Sequence, residues 1–107
     1  MNMQRSKLNI LIGLCFFVGF IPDLATAEQA RSPQTIFDTF CFSCHGTGWE
    51  NAPVLGDSFA WEGRKEQGMA VLLQHTLEGF GGMPIKGGCA DCTEEELKAT
   101  IEWMSAE

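Results

Sequence analysis

Basic residues are scarce in this chain of 107 residues, which has seven lysines and arginines against 14 aspartates and glutamates. Arg5, Lys7 and Asp23 fall in the first 27 positions, so residues 28–107 hold 13 acidic and five basic residues, a formal charge of about −8. Such a chain is poorly suited to bind nucleic acid or an anionic membrane. We therefore expect a soluble monomer with neither of them as a partner.

Other features are also missing from the sequence. It has no strand-length run of alternating polar and apolar residues, no internal repeat and, after residue 33, no linker. These absences predict an all-α protein with one small domain. The long apolar run, residues 8–21, has 14 residues, whereas a membrane-spanning helix needs about 20.

That apolar run has the flanks of an export signal. Two basic residues precede it, Pro22 ends it, and residues 25–27, Ala-Thr-Ala, have the small side chains of a cleavage site. This order predicts a secretory signal peptide over residues 1–27, which leaves residues 28–107 as one domain in the periplasm. The alternative is an uncleaved membrane anchor. Cys15 lies within the segment that we expect to be removed.

The chemistry of the chain is concentrated in Cys41-Phe42-Ser43-Cys44-His45. Two cysteines two residues apart, followed directly by histidine, are the attachment signal for a c-type haem. Each thiol can add to one vinyl group of the macrocycle, and His45 can then take one axial position on the iron. The motif predicts one covalent haem c held by Cys41, Cys44 and His45.

Three other functions are compatible with some of these residues. The first is a zinc site drawn from His45 and the four cysteines at positions 41, 44, 89 and 92, although adjacent Cys44 and His45 cannot easily share one tetrahedron. The second is a thiol–disulfide oxidoreductase, but such sites usually lie in a βαβ setting. The third is a haem enzyme such as a peroxidase, for which the chain has no spare catalytic cluster.

The helices can be placed from apolar periodicity and capping residues. Pro33 can open a first helix that runs into Cys41 and ends at Gly46. Residues 59–64 predict a short helical turn, and residues 66–78, with Phe80, carry an apolar face at helical period. Thr93 and Glu96 form a capping box at the start of the last helix, whose apolar face is Leu97, Ile101 and Met104.

A second iron ligand is predicted from a loop. Met83 follows two glycines and precedes Pro84, so the backbone can approach a ligand closely and is then stiffened. Met69 and Met104 lie on the apolar faces of predicted helices, where methionine is more often a core residue. His75 lies away from the apolar face of its helix. Met83 is therefore favoured, with an exposed loop methionine as the alternative.

In this order of motifs, the chain resembles the class I c-type cytochromes, and more closely cytochrome c-five. The specific part is residues 82–97, Gly-Met-Pro-Ile-Lys-Gly-Gly-Cys-Ala-Asp-Cys-Thr-Glu-Glu-Glu-Leu. The resemblance implies about four helices wrapped around one covalent haem c, with His45 and Met83 as axial ligands. It also implies an electron carrier rather than an enzyme, which cycles between Fe(II) and Fe(III) and has redox proteins as donor and acceptor.

The same resemblance implies roles for other residues. The Pro53 carbonyl would accept the ring N–H of His45, and Trp61 and Arg64 would lie near the haem propionates. Cys89 and Cys92 would form a disulfide, and Phe37 would pack against Trp103 where the first and last helices cross. The sequence departs from the family at Ile85, where proline is common, so the loop after Met83 is expected to be less stiff.

Overall fold

The structure, a computed structural model, describes residues 28–106 and Gly19. The predicted signal peptide, apart from Gly19, therefore lies outside the described residues. The elements run in the order α1 (Pro33–Ile36), a π-helical turn (Phe37–Cys41), α2 (Phe42–His45), a 3-10 turn (Trp49–Asn51), α3 (Ser58–Lys65), α4 (Met69–Glu78), a second 3-10 turn (Ile85–Gly88) and α5 (Glu94–Met104).

The first three elements follow one another without a gap and form a single helical rod over residues 33–45. The Ser32 hydroxyl caps the rod by accepting the Thr35 amide at 3.2 Å, and Pro33 occupies its first turn, as expected for proline. Ile36 and Phe37 are buried. The rod ends at Gly46, so the haem-attachment motif occupies its last turn.

Two predicted helix boundaries were wrong. The helix predicted over residues 66–78 begins only at Met69, because Gly68 has φ +92° and ψ 152° and cannot continue a helix. Phe80, predicted on the apolar face of that helix, lies beyond its end and is 61% exposed. The turn predicted over residues 59–64 is a helix of eight residues, α3.

Helix α5 packs across the helical rod. Its capping box is present as predicted: the Thr93 hydroxyl accepts the Glu96 amide, and the Glu96 carboxylate accepts the Thr93 amide, each at 3.1 Å. Leu97, Ile101 and Met104 are buried. The rings of Phe37 and Trp103 meet edge to face, with centroids 5.4 Å apart. The crossing of the first and last helices is therefore where the resemblance implied it.

A polar cluster ties the start of the described domain to the start of α5. The Glu96 carboxylate accepts the Arg31 amide at 2.9 Å and two guanidinium N–H groups at 3.1 and 2.8 Å. These hydrogen bonds from Arg31, together with that from Thr93, lower the pKa of Glu96 to about 2. Beside the cluster, Cys89 and Cys92 are joined by a disulfide and both are buried.

Over residues 28–106 the only strand-like pairing is an isolated bridge between Phe80 and Met83. The all-α class and the arrangement of about four helical units, with the rod counted as one, are confirmed. None of the helices in the described part of the chain is long and apolar enough to cross a membrane.

Candidate haem-binding site

The last turn of the helical rod presents three side chains that can hold a haem. Cys41 ends the π-helical turn, while Cys44 and His45 lie in α2. Neither cysteine forms a disulfide, and both line a cavity of about 290 Å³ together with His45. Two thiols and an imidazole on one helical turn have the spacing that two thioether bonds and one axial ligand require.

The ring of His45 is fixed from two sides. Its Nδ1 donates to the Pro53 carbonyl at 2.9 Å, so Nε2 of the neutral ring keeps its lone pair for a metal. The indole of Trp61 stacks on the imidazole, with ring centroids 6.0 Å apart and planes 18° apart. Trp61 is itself held because its Nε1 donates to the Val54 carbonyl at 2.9 Å.

A second cavity, of about 320 Å³, adjoins the first. Five residues line both cavities: His45, Pro53, Arg64, Phe80 and Met83. Each volume lies near the lower limit of small-molecule sites, about 300–1,000 Å³, and together the two spaces lie well within that range. The shared walls make them two parts of one site.

Met83 reaches this site from a loop. The loop is closed by two backbone hydrogen bonds between Phe80 and Met83, of 3.0 and 2.9 Å. Gly79 has φ +83°, and a Cβ there would lie 3.1 Å from the Met83 carbonyl oxygen, so glycine is favoured at this position. A Cβ at Gly82 would lie 3.3 Å from the Glu50 side chain, a tight contact that Glu50 would have to relieve by shifting. The flanking glycines therefore permit the close approach of the backbone that the sequence indicated.

The competing ligands have less favourable positions. Met104 is buried and lines only the 320 Å³ cavity, which neither Cys41 nor Cys44 lines. Met69 packs against the core and lines neither cavity. His75 lines the 320 Å³ cavity, and its ring stacks on Phe80 with centroids 4.0 Å apart. Met83 is the methionine common to both cavities.

Arg64 and Trp61 also line the site, and their donors are engaged by backbone carbonyls. Arg64 Nη1 donates to the Ala60 carbonyl at 2.6 Å, and Nη2 donates to the Asn51 carbonyl at 3.3 Å. All seven residues predicted for the site line at least one of the two cavities: Cys41, Cys44, His45, Pro53, Trp61, Arg64 and Met83.

The sequence did not identify the rim of the 290 Å³ cavity. Trp49, Glu50 and Asn51 line it, and Glu50 and Asn51 both have positive φ, of 54° and 60°. Asparagine tolerates this left-handed region better than most residues, so Asn51 after Gly48 was the one available signal of a tight turn here. Glu50 lies close to Gly82, which is 32 positions away in the sequence, and no local pattern reveals this proximity.

The donor set fits a haem better than the alternative sites. Burial raises the pKa of the Cys41 thiol to about 11, with a further contribution from Cys44, and this disfavours the thiolate that disulfide exchange needs. In the part of the chain that is described, the one cluster spaced for a metal is Cys89, Asp91 and Cys92, and its two sulfurs form the disulfide. Largely apolar walls, two thiols and a free imidazole nitrogen suit an apolar macrocycle with covalent attachment.

The fold and this site define a small helical protein that binds haem covalently. The family model described as "Cytochrome C oxidase, cbb3-type, subunit III" matches residues 28–104. Cytochrome c5 of Azotobacter vinelandii is 49% identical over 78 residues, which cover 71% of this chain and 94% of that protein.

Two solved structures are also similar. A mono-heme ferrocytochrome c from Shewanella putrefaciens has 35% identity and a TM-score of 0.66, with coverage of 74% of this chain and 99% of that one. A chain in an electron transfer complex of nitrite reductase with cytochrome c has 36% identity and a TM-score of 0.64, with coverage of 72% and 95%.

This chain therefore belongs to the class I c-type cytochromes, close to cytochrome c5, and its cofactor is a covalently bound haem c. Its relatives are electron carriers. The resemblance and the cofactor predicted from the sequence are confirmed.

Proposed function

We propose that this cytochrome is a soluble electron carrier of the periplasm with His45 and Met83 as the axial ligands of its haem iron. When bound, the haem supplies one-electron chemistry, since its iron passes between Fe(III) and Fe(II). The observation that carries the proposal is the pair of side chains that line both halves of the site, the buried imidazole of His45 and the thioether of Met83.

The two side chains contribute in different ways. His45 is held by the Pro53 carbonyl and the stacked Trp61 ring, which supports a fixed imidazole plane in both oxidation states. Met83 offers a neutral, soft sulfur that favours Fe(II), so the reduction potential lies above that of a centre with two histidines. Ligands that keep their positions on oxidation lower the reorganisation that accompanies electron transfer.

The same proposal covers processing and partners. Residues 1–27 are a signal peptide, cleavage follows Ala27, and residues 28–107 form one monomeric domain that does not insert into a membrane. Donor and acceptor are redox proteins, a partner class supported by the similar cytochrome solved in complex with nitrite reductase. Intact-mass analysis of the exported protein tests the cleavage, and retention of residues 1–27 or a lipid on Cys15 would contradict it.

The deciding experiment for the ligands is visible spectroscopy of purified holoprotein. The weak far-red band from sulfur to Fe(III) should vanish in Met83→Ala, and the reduced variant should bind carbon monoxide readily because one axial position is open. Met69→Leu and Met104→Leu are the matched controls. Both should keep the band, at a packing cost below about 1.5 kcal/mol.

One outcome would contradict the ligand assignment, and another would contradict the covalent attachment. If the band survives in Met83→Ala and is lost in Met104→Leu or Met69→Leu, the ligand is a different methionine. If haem can be extracted from the polypeptide by acidified acetone, Cys41 and Cys44 do not form the thioether bonds.

A further inference from the structure

Lys86 lies three residues after Met83 and has an unusual conformation. Its φ of 54° places a residue with a side chain in the left-handed region, which few residues other than glycine adopt. Gly87 follows with φ +60° and Gly88 with φ +86°. This sharp turn directs the chain from the ligand loop, defined here as residues 79–88, into the disulfide at Cys89.

Because of this turn, the Lys86 ammonium lies against residues 90–92, which follow the loop in the sequence. Nζ donates to the Cys92 carbonyl at 2.9 Å and to the Ala90 carbonyl at 3.4 Å. The Cys92 carbonyl lies directly before Thr93, the N-cap of α5, and the Ala90 carbonyl lies two residues before Cys92. An ammonium that donates to two carbonyls makes charge-assisted hydrogen bonds, which are stronger than neutral ones.

The Cys89–Cys92 segment is a firm attachment point. Cys89 and Cys92 are buried and pack with Ile36 of the helical rod and Leu97 of α5. The ligand loop, by contrast, is largely exposed, and Ile85 has 66% of its surface in solvent. Most of the loop therefore lacks core packing that would hold it in place.

The disulfide is linked to the rest of the loop by one backbone hydrogen bond across Gly87 and Gly88, in which the Cys89 amide donates to the Lys86 carbonyl at 3.0 Å. Because glycine has the least restricted backbone of any residue, a further contact across these two positions can stiffen the link. The Lys86 side chain spans both glycines, because its backbone precedes them and its ammonium binds beyond them. This contact makes a second link between the loop and the start of α5.

We propose that Lys86 is a positioning residue that keeps Met83 at the iron by fastening the ligand loop across the Gly87–Gly88 hinge. The inference rests on the proposed ligation by Met83. It concerns the lifetime of the iron–sulfur bond. When the hydrogen bonds of the Lys86 ammonium are removed, the ligand loop moves away from the iron more often and Met83 dissociates faster.

The test uses Lys86→Met in the holoprotein, since methionine keeps most of the length of the side chain and the Cβ at positive φ but removes the ammonium. At saturating carbon monoxide, the rate at which the Fe(II) form binds the gas reports the dissociation of Met83. Hydrogen bonds from a charged donor contribute more than neutral ones, and partial exposure reduces that contribution. We therefore expect binding about tenfold faster, which corresponds to about 1.4 kcal/mol.

Two variants serve as controls. Lys98→Met removes the same charge from an exposed lysine of α5 that pairs with Glu102 at 3.8 Å, and its rate should stay within about twofold of the parent, as a surface pair contributes little. Lys86→Arg keeps a cationic donor and should restore most of the parent rate. A lower melting temperature of Lys86→Met with an unchanged carbon monoxide rate would overturn the inference, because it would show a purely structural role.

If Met83 is not an iron ligand, the same measurements give a different result from the one expected if only the role of Lys86 is wrong. If Met83→Ala binds carbon monoxide no faster than the parent, the proposed ligation fails, whereas fast binding by Met83→Ala with no change in Lys86→Met rejects only the role of Lys86. If Lys86→Met gives no holoprotein, nitrogen NMR of the unmodified reduced protein decides. A Lys86 ammonium protected from exchange relative to Lys98 supports the inference, and equally fast exchange overturns it.

Discussion

The two proposed axial ligands are held by different kinds of structure. His45 ends a helical rod, is only 8% exposed, and is fixed by the Pro53 carbonyl and the Trp61 ring. Met83 lies in an exposed loop that is held by the Phe80–Met83 backbone bridge, the Lys86 side chain and a backbone hydrogen bond from Cys89, a disulfide residue, to Lys86. His45 and the groups that fix it, called the histidine side below, are thus part of the core. Met83 and the ligand loop, called the methionine side, are attached to the core at fewer points.

This difference suggests that the two sides differ in adaptability. A ligand on a core helix cannot shift without disturbing the packing around it, whereas an exposed loop has few contacts to lose when it moves. Substitutions on the methionine side should therefore tune the iron. Substitution of His45 itself should disrupt the site.

Exchanging the ligands should give the largest effect. Met83→His should keep six ligands because the loop can adjust. Its reduction potential should fall by an amount on the order of 100 mV, within the span of about 0.8 V that axial ligands cover. His45→Met should not form a normal holoprotein, since a flexible side chain there loses the contact with Pro53. Redox titration and visible spectra measure both variants. A His45→Met holoprotein with six iron ligands would show that the two ligand positions do not differ in adaptability.

Removing the disulfide should give the next largest effect. Replacing Cys89 and Cys92 with serine opens a very short loop, and the chain-entropy relation gives a loss of about 2 kcal/mol in the free energy of unfolding. Thermal melting of the holoprotein measures this loss. Electron transfer should survive, because the helical rod holds His45 independently of the disulfide.

An alternative role for this cysteine pair would give a different result. If the serine variant stays folded with six iron ligands yet no longer transfers electrons, the disulfide is a second redox site. Met83→Ala with the disulfide intact is the matched comparison, since it changes the iron site and leaves the pair in place.

Acid should weaken the attachment of α5, on which the methionine side depends. Hydrogen bonds from Arg31 lower the pKa of Glu96 to about 2, from an ordinary value of 4.5. A depressed folded pKa means that this carboxylate stabilises the fold above about pH 4.5. That stabilisation is lost as the pH falls towards 2. We expect the melting temperature of the parent to fall across this range, and that of Glu96→Gln to start lower and change less.

The control for this pH dependence is the neighbouring Glu95→Gln. Glu95 is exposed in the same first turn of α5, so its substitution removes an equal charge without touching the Arg31 cluster. The Glu95 variant should follow the parent through the acid range. Parallel curves for the parent and Glu96→Gln would show that the ion pair with Arg31 contributes no stability.

Patterns of residues that are close together in the sequence predicted much of this architecture. They could not predict contacts between residues that are far apart in the sequence. The haem motif, the capping box at Thr93 and the loop around Met83 each depend on residues within a few positions of one another, where spacing and backbone preference decide the structure. The pairing of Arg31 with Glu96 joins residues 65 positions apart. The exposure of Phe80 depends likewise on where the chain turns after Gly79, so periodicity placed it wrongly on the helix.

The smallest expected effect tests whether Trp61 belongs to the firm side of the site. Trp61→Phe keeps an aromatic ring near His45 but removes the indole N–H that donates to the Val54 carbonyl at 2.9 Å. Loss of one such hydrogen bond costs about 1 kcal/mol.

Trp103→Phe is the matched control, because Trp103 is partly exposed and packs edge to face on Phe37. Thermal melting should rank Trp61→Phe as the less stable variant, and carbon monoxide binding should match the parent in both, since both residues belong to helices outside the ligand loop. Faster binding in Trp61→Phe would mean that the two sides are coupled through the His45 ring, and the division between a core-held histidine and a loop-held methionine would then be wrong.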